Sequence, residues 1–169
     1  IDQGIARIQR QLRIPANEKL QTYTITSRTA SLTLPTDFLE IVSLYHTTNE
    51  LERVSMRRFR ELSGSTYAGV PMFFARQQEK LFLYPEPTDG NLVLYYYGEF
   101  DENILAKVAP DLIIYGALTY AADYYLDTRT ELFEQKFNQF MAEIQEQAND
   151  QELQGGTQAI LPAYRYQEG

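Results

Sequence analysis

The chain of 169 residues contains no cysteine, no tryptophan and a single histidine. Without cysteine there are no disulfides and no thiolate metal ligands, a composition typical of proteins from reducing compartments. His46 lies in SLYHTTN, which does not resemble a catalytic nucleophile motif, and one imidazole with carboxylates makes a poor zinc site. We therefore expect His46 to end a strand, and we expect no metal and no cofactor.

Long apolar runs and phosphate-binding motifs are also missing. No run approaches the ~20 apolar residues of a membrane helix, and neither GxxxxGK[ST] nor GxGxxG occurs. Two carboxylate pairs, Asp37 with Glu40 and Asp101 with Glu102, could perform acid–base chemistry only if the fold brought them together in a pocket. We expect caps and solvated loops instead, so an enzyme is the weakest of three alternatives.

The net charge of −8 is unevenly distributed. Residues 1–70 carry nine Lys or Arg against seven Asp or Glu, giving +2, whereas residues 71–169 carry six against sixteen, giving −10. An acidic surface disfavours tight binding to nucleic-acid phosphates, which depends on clustered cations. We expect this charge to serve solubility, and the alternative is a surface past which DNA moves without sticking.

Aromatic residues are abundant, with 13 Tyr and 9 Phe, and three tyrosines are adjacent in NLVLYYYGEF. Alternate side chains of a strand point to opposite faces, so Tyr95 and Tyr97 share one face and Tyr96 lies on the other. Tyrosine joins a large apolar ring to a hydroxyl group, which suits surfaces buried against a partner. We therefore expect Tyr95 and Tyr97 to meet a neighbouring molecule.

Residues 20–98 predict an antiparallel β-meander. Alternation in LQTYTITS and DFLEIVSLYHTT predicts two strands, and PMFFARQ, KLFLYP and NLVLYYYGEF predict three more. The turn residues of EPTDG predict that KLFLYPEPTDGNLVLYYYG, residues 80–98, is a hairpin whose apolar side fills the core. A short helix capped by Ser55 interrupts the meander.

Helices are predicted on either side of this region. IDQGIARIQRQLR, residues 1–13, has apolar residues at helical spacing before Pro15, and we expect it to be the end of a longer helix. A second helix begins at Pro110. Its predicted apolar face is Leu112, Tyr115, Leu118, Ala122 and Tyr125. Its small residues, which allow another backbone to approach closely, are Gly116, Ala117, Ala121 and Ala122.

A third helix is predicted after Asp127, where Thr128 and Glu131 have the spacing of a capping box. Its apolar stripe is Phe133, Phe137, Phe140, Ile144 and Ala148. This helix and the preceding one should form an antiparallel hairpin.

Two further segments suggest contacts with partners. The cluster MRRFRE contains Arg57, Arg58 and Arg60, which could touch phosphate, although pairing with acids on a neighbour is favoured. Beyond the predicted hinge at Gly155–Gly156, the segment AILPAYRY, residues 159–166, is too apolar for a merely solvated tail.

Several segments together resemble the head-to-tail adaptor proteins of tailed bacteriophages. They are LPTDFLEIVSLYH, GVPMFFARQQEKLFLYPEP, LVLYYYG and APDLIIYGALTYAADYYLDTRTELFEQKFNQFMAEIQEQAND, whose order and spacing match over roughly residues 34–150. Tyr120 departs from the pattern, because a smaller or acidic residue is more usual there.

The resemblance implies an α+β fold: a helical bundle with an inserted antiparallel β-domain and an extended C-terminal tail. Residues 1–150 would form one adaptor domain, with helices over 1–14 and 100–149 and the insert at about 20–98. Residues 151–169 would be the tail. Such adaptors are structural proteins of the virion, made in the host cytoplasm. They form a ring, commonly of twelve subunits, between the portal protein and a tail or nozzle protein, and double-stranded DNA passes through the ring.

The resemblance also gives roles to the two segments above. The tail of such adaptors commonly reaches into clefts of the portal. Its expected portal-binding residues here are Ile160, Leu161, Pro162, Tyr164 and Tyr166. The expected inter-subunit residues are Arg57, Arg58, Arg60, Tyr95 and Tyr97. The principal alternative is a β-rich module that binds a sugar or a peptide through a tyrosine face.

Overall fold

The structure, a computed structural model, describes residues 1–65 and 67–154, apart from the side chains of Glu102, Ile104 and residues 151–154. Within these residues the fold is α+β, as predicted, with five α-helices and two mainly antiparallel sheets. The chain divides into two compact units. Residues 1–16 and the described residues from Asp101 onward form the helical unit, and residues 17–100 form the β unit.

The helices are short at the N-terminus and long at the C-terminus. They are α1 (Asp2–Gln11), α2 (Met56–Leu62), α3 (Glu102–Val108), α4 (Pro110–Tyr124) and α5 (Thr130–Gln154). α2 belongs to the β unit, and the other four form the helical unit. Pro110 occupies the first turn of α4, as predicted, while Asp101 caps α3, a separate helix that the sequence pattern did not reveal.

α1 and α4 approach each other until their backbones touch. A Cβ atom added to Gly4 would lie 3.0 Å from the carbonyl carbon of Gly116 and 3.0 Å from the amide nitrogen of Ala117. A Cβ atom on Gly116 would lie 3.2 Å from the ring of Phe137. The close approach predicted from the small residues of α4 is therefore confirmed, and glycine is needed at Gly4 for space.

α5 packs against α4 through its aromatic stripe. Phe137 is fully buried, and the ring of Tyr115 lies 5.5 Å from that of Phe140 and 6.4 Å from that of Phe133. Each of the five residues of the predicted stripe is buried or half-buried. The stripe and the pairing of the two helices are thus confirmed.

An ion pair joins α1 to α5. Arg7 donates two hydrogen bonds to the carboxylate of Glu134, at 2.9 and 2.5 Å, and its guanidinium carbon lies 4.2 Å above the ring of Phe137. The hydrogen bond from Arg7 lowers the pKa of Glu134 despite partial burial. Such a bidentate pair fixes orientation as well as contributing energy.

The β unit contains eight strands arranged in two four-stranded sheets. They are β1 (Glu18–Ile25), β2 (Ser31–Thr33), β3 (Phe38–His46), β4 (Asn49–Glu50), β5 (Glu52–Arg53), β6 (Phe73–Gln77), β7 (Lys80–Tyr84) and β8 (Gly90–Gly98). The first sheet has the order β1-β8-β3-β4 and the second the order β2-β7-β6-β5. One core, which includes Leu44, Leu81, Leu83, Leu92 and Leu94, draws on both sheets.

This topology contradicts the predicted meander. β1 pairs with β8 rather than with β2, and β5 runs parallel to β6. Residues 80–98 are not a hairpin, because β7 lies between β2 and β6 while β8 lies between β1 and β3. Both edges of each strand are already occupied, so EPTDG connects two sheets. β6 and β7 do form the hairpin expected around Gln78 and Glu79, and β3 and β4 form a second, short one.

We predict that Gly4→Ala destabilises the protein by about 1–3 kcal/mol, because the new methyl group must push α1 away from α4. Alanine normally favours a helix over glycine by up to about 1 kcal/mol, so the sign of the change is diagnostic. The measurement is urea unfolding. Gly64→Ala is the control, because its Cβ atom would meet only Glu61 O at 3.8 Å. Equal stability of the two variants would contradict the close contact.

We predict that Glu134→Gln lowers the free energy of unfolding at neutral pH by about 1 kcal/mol, the scale of a partly exposed ion pair. The folded pKa of Glu134 lies below its ordinary value of 4.5. The stabilisation is therefore present above that pH and is lost as the pH falls through the folded pKa. Unfolding curves of the two proteins should converge in acid. A difference that does not depend on pH would show that the carboxylate charge is irrelevant.

Candidate protein-binding surfaces

The outer face of the first sheet forms a surface that we call the sheet patch, consisting of Leu20, Val42, Tyr45 and Tyr95. Leu20 and Tyr95 are directly opposite each other in β1 and β8, with exposed fractions of 55% and 41%. The rings of Tyr45 and Tyr95 meet edge to face at 5.9 Å. The patch borders a shallow hollow of about 350 Å³, so it offers both an apolar surface and a place for an inserted side chain.

The alternation predicted for the three tyrosines is confirmed. Tyr96 is 5% exposed and packs in the core, whereas Tyr95 and the half-buried Tyr97 face the other side of β8. Tyr97 is opposite Glu18 in β1 and Glu40 in β3. That these tyrosines contact another subunit stays a prediction.

A polar cluster under the sheet holds Tyr96 in place. Tyr96 donates a hydrogen bond to Asp37 at 3.1 Å, and Lys19 approaches the other carboxylate oxygen to 2.5 Å. Burial, with the hydrogen bond to Asp37, raises the pKa of Tyr96 to about 12. Burial alone would raise the pKa of Asp37, but its bonds to Lys19 and Tyr96 outweigh burial and lower it. Asp37 is therefore a structural acceptor, and Asp101 caps α3 by accepting from the Asn103 amide at 2.8 Å.

The arginine cluster lies on α2. Ser55 caps this helix as predicted, accepting a hydrogen bond from the backbone amide of Arg58. Arg57, Arg58 and Arg60 are all exposed, and the first two lie 3.5 and 3.2 Å from Glu61 of the same helix. Arg57 and Arg58 thus pair within their own helix, and contact of the three arginines with a neighbour stays a prediction.

The most exposed apolar residues in the described chain with known burial lie at the corner between α4 and α5. Tyr124, Tyr125 and Leu126, which we call the corner knob, have exposed fractions of 81%, 78% and 89%. The two tyrosine rings contact each other at 5.0 Å, perpendicular to one another. Of the predicted apolar face of α4, Leu118 and Tyr125 are exposed, while its other three residues are buried or half-buried.

The backbone of the corner has a conformation unusual for its sequence. Leu126 has φ of 55° and donates to Asp123 O, while Asp127 donates to Ala122 O at 2.8 Å. These are the two hydrogen bonds of a Schellman motif, in which the left-handed position is usually glycine. A bulky residue there is strained, and such strain often marks a functional position.

Asp127 completes the corner. Its carboxylate accepts hydrogen bonds from the backbone and the guanidinium of Arg129, and these bonds lower the pKa of Asp127 to about 2. α5 begins only at Thr130, so the capping box predicted at Thr128 is wrong. The aspartate outcompetes it because its carboxylate bonds the backbone two residues ahead.

The helical unit also contains an apolar groove, lined chiefly by Ile14, Pro15, Val108, Ile144 and Ala148. Its volume is about 320 Å³, with Gln147 at the rim. Gln145 holds one wall in place, because its side chain donates to Arg13 O at 2.7 Å and accepts from the Arg13 amide at 3.2 Å.

The remaining candidate residues either occupy structural positions or lie outside the described residues. His46 ends β3, is 7% exposed, and its Nε2 lies 2.9 Å from Asp89 O. In the part of the chain that is described, no cluster of three or more potential metal ligands occurs, and no helix could span a membrane. The expected portal-binding residues all lie outside the described residues: Ile160, Leu161, Pro162, Tyr164 and Tyr166.

Comparison with known proteins gives one family. Residues 1–160 match the model of the SU10 adaptor protein family. No curated protein matches the chain.

We predict that Leu126→Gly stabilises the free protein by about 1 kcal/mol, because glycine adopts positive φ without the steric cost that leucine incurs. The measurement is the free energy of unfolding in urea. Leu132→Gly is the control, since this half-exposed residue lies within the first turn of α5 and glycine should destabilise it there. Loss of stability in Leu126→Gly would contradict the strain.

Proposed function

We propose a specific role for this chain, because it belongs to the SU10 adaptor protein family. This match confirms the resemblance of the chain to bacteriophage head-to-tail adaptors. The protein forms a ring that joins the portal to the tail and continues the DNA channel. Membership of this family supports the interpretation that the protein is a structural component of the virion and associates with portal and tail proteins.

The observation that carries this proposal is the amount of apolar surface left exposed in both units. The sheet patch lies in the β unit, and the corner knob and the groove lie in the helical unit. Exposed apolar patches of this kind mark contacts with other proteins. A ring needs two different complementary surfaces on each subunit, because its contacts are heterologous.

The division of the chain supports the proposed architecture. The helical unit consists of a segment before residue 17 and a segment after residue 100, and the β unit lies between them in sequence. We interpret this arrangement as a helical bundle with an inserted β-domain, followed by a tail over residues 151–169.

Contacts within this assembly are assigned by chemistry. The apolar and aromatic residues 160–166 would anchor the tail in the portal, because apolar and aromatic side chains dominate the buried centres of interfaces. Arg57 and Arg58 would leave or share their ion pairs with Glu61, and together with Arg60 they would meet acids on the next subunit. Tyr95 and Tyr97 would pack against that subunit. The acidic charge of residues 71–169 would let DNA pass without adsorbing.

A second candidate is a module that binds a sugar or a peptide. The hollow beside Tyr45 and Tyr95 favours it, because aromatic faces with nearby hydroxyls such as Ser43 and Thr47 suit small polar ligands. This candidate predicts a monomer that binds glycans and ignores the portal.

Native mass spectrometry of the protein, alone and mixed with the portal of its own phage, tests the proposal. We expect a ring of many copies on the portal. A protein that stays monomeric and does not bind the portal would overturn the proposal and direct attention to a glycan screen.

We predict that deleting residues 157–169 weakens portal binding at least about tenfold while leaving the unfolding transition of the rest unchanged. A control replaces only Ile160, Leu161 and Tyr164 by serine in the full-length chain, which keeps the length of the tail. The measurement is the portal dissociation constant. Equal affinity of the truncated and intact proteins would show that the tail is not the anchor.

A further inference from the structure

We propose that the corner knob of one copy inserts into the apolar groove of the next copy, and that this contact closes the ring. The proposal rests on the ring proposed above and names the surfaces that build it. Four observations support it: the composition of α4, the area of the exposed patch, the strain at Leu126 and the positions of knob and groove on the pair formed by α4 and α5.

α4 is apolar on faces that the described residues of its own chain do not cover. Its buried residues are Leu112, Gly116 and Ala122, yet Ile114 and Leu118 are 53% and 36% exposed on another side. A helix that is apolar all round is normally buried all round. The uncovered side ends at Tyr125, which follows Leu118 by seven residues and so lies on the same face.

The exposed area matches what a stable contact needs. Aromatic side chains bury about 150–250 Å² each, so the exposed parts of Tyr124 and Tyr125 supply roughly 300 Å². A fully exposed aliphatic side chain offers roughly 60–120 Å² of apolar area, so the exposed parts of Leu126, Ile114 and Leu118 add roughly 150 Å². A standard interface buries about 800 Å² per partner, of which somewhat more than half is apolar. The patch therefore provides most of the apolar part of one such interface.

The strained backbone at Leu126 indicates that this position is not optimised for the stability of the free subunit. Glycine would satisfy the same two hydrogen bonds at lower cost, yet the chain places an 89% exposed leucine at this position. A leucine side chain in water contributes nothing to the stability of the free chain. Burial in the groove of a neighbouring copy would let this leucine side chain contribute to binding.

The knob and the groove lie far apart on the same helix pair. α4 rises about 21 Å from Pro110 to Tyr124, and the groove residue Val108 lies just before its start. One chain therefore cannot place its own knob in its own groove, but successive copies can do so head to tail. A contact between two unlike surfaces is the kind that generates a ring. At the rim, Gln147 offers an amide to a tyrosine hydroxyl that would otherwise lose its hydrogen bonds on burial.

Cysteine cross-linking tests this contact, because the natural chain has no cysteine. The double variant Tyr124→Cys with Val108→Cys is assembled on the portal and oxidised with copper phenanthroline. Disulfides require Cα atoms within about 7 Å, so no bond can form inside one chain. We expect a ladder of multimers on a non-reducing gel, up to the closed ring. Each single variant should give no ladder.

The outcomes separate this inference from the proposed function. If the unmodified protein forms a ring but the double variant gives no ladder, the contact is wrong and the ring stands. A dimer from Tyr124→Cys alone would mean that knob meets knob, which also overturns the contact. If the unmodified protein forms no ring, the proposed function fails and this contact fails with it.

Leu126→Gly supplies an independent test with two readouts. The free chain should become more stable, whereas the yield of rings on the portal should fall about tenfold. Val70→Ser is the matched control, because Val70 is also exposed, at 58%, but lies in the β unit. It should leave the ring yield unchanged. A stabilised Leu126→Gly variant that forms rings normally would overturn the docking role of the knob.

Discussion

The backbone contact between Gly4 and Gly116 is the constraint on which the helical unit depends. It brings α1 close enough to α4 for Phe137 to lie against Gly116 on one side and beneath Arg7 on the other. Arg7 then donates hydrogen bonds to the carboxylate of Glu134 from both of its terminal guanidinium nitrogens. A single methyl group at this contact would displace the elements that carry all of these interactions, because a packed interior has no room to absorb it.

Most of the helices were predictable because their signals are local, although α3 was missed, whereas the strand pairing was not predictable. The period of α5, the small residues of α4 and the cap at Ser55 each depend on a few neighbouring residues. Alternation in a strand shows which residues face the core, but not which strand lies alongside. β7 and β8 alternate equally well in a hairpin or in separate sheets, and only the occupancy of their edges by other strands decides the matter.

The difference between local signals and long-range packing also explains which candidate surfaces were predicted and which were missed. Tyr95 and Tyr97 were placed on the outer face correctly, since a period of two fixes their direction. The corner knob was missed, because α4 is apolar on several sides and its pattern does not show which side a neighbour covers. The left-handed backbone at Leu126 has no signal in the sequence, since leucine rarely adopts it.

In each unit, an element from the start of its sequence packs against an element much later in the sequence. β1 pairs with β8, and α1 packs on α4 from more than a hundred residues away. A nascent chain emerges from the ribosome N-terminus first, so α1 and β1 wait without their partners while the intervening residues are made. Contacts of such long range also slow folding. The helical unit cannot close before residue 124 has emerged, and its groove also needs Ile144 and Ala148 of α5. A subunit therefore acquires the corner knob and the groove late in its synthesis, whereas the sheet patch can form earlier.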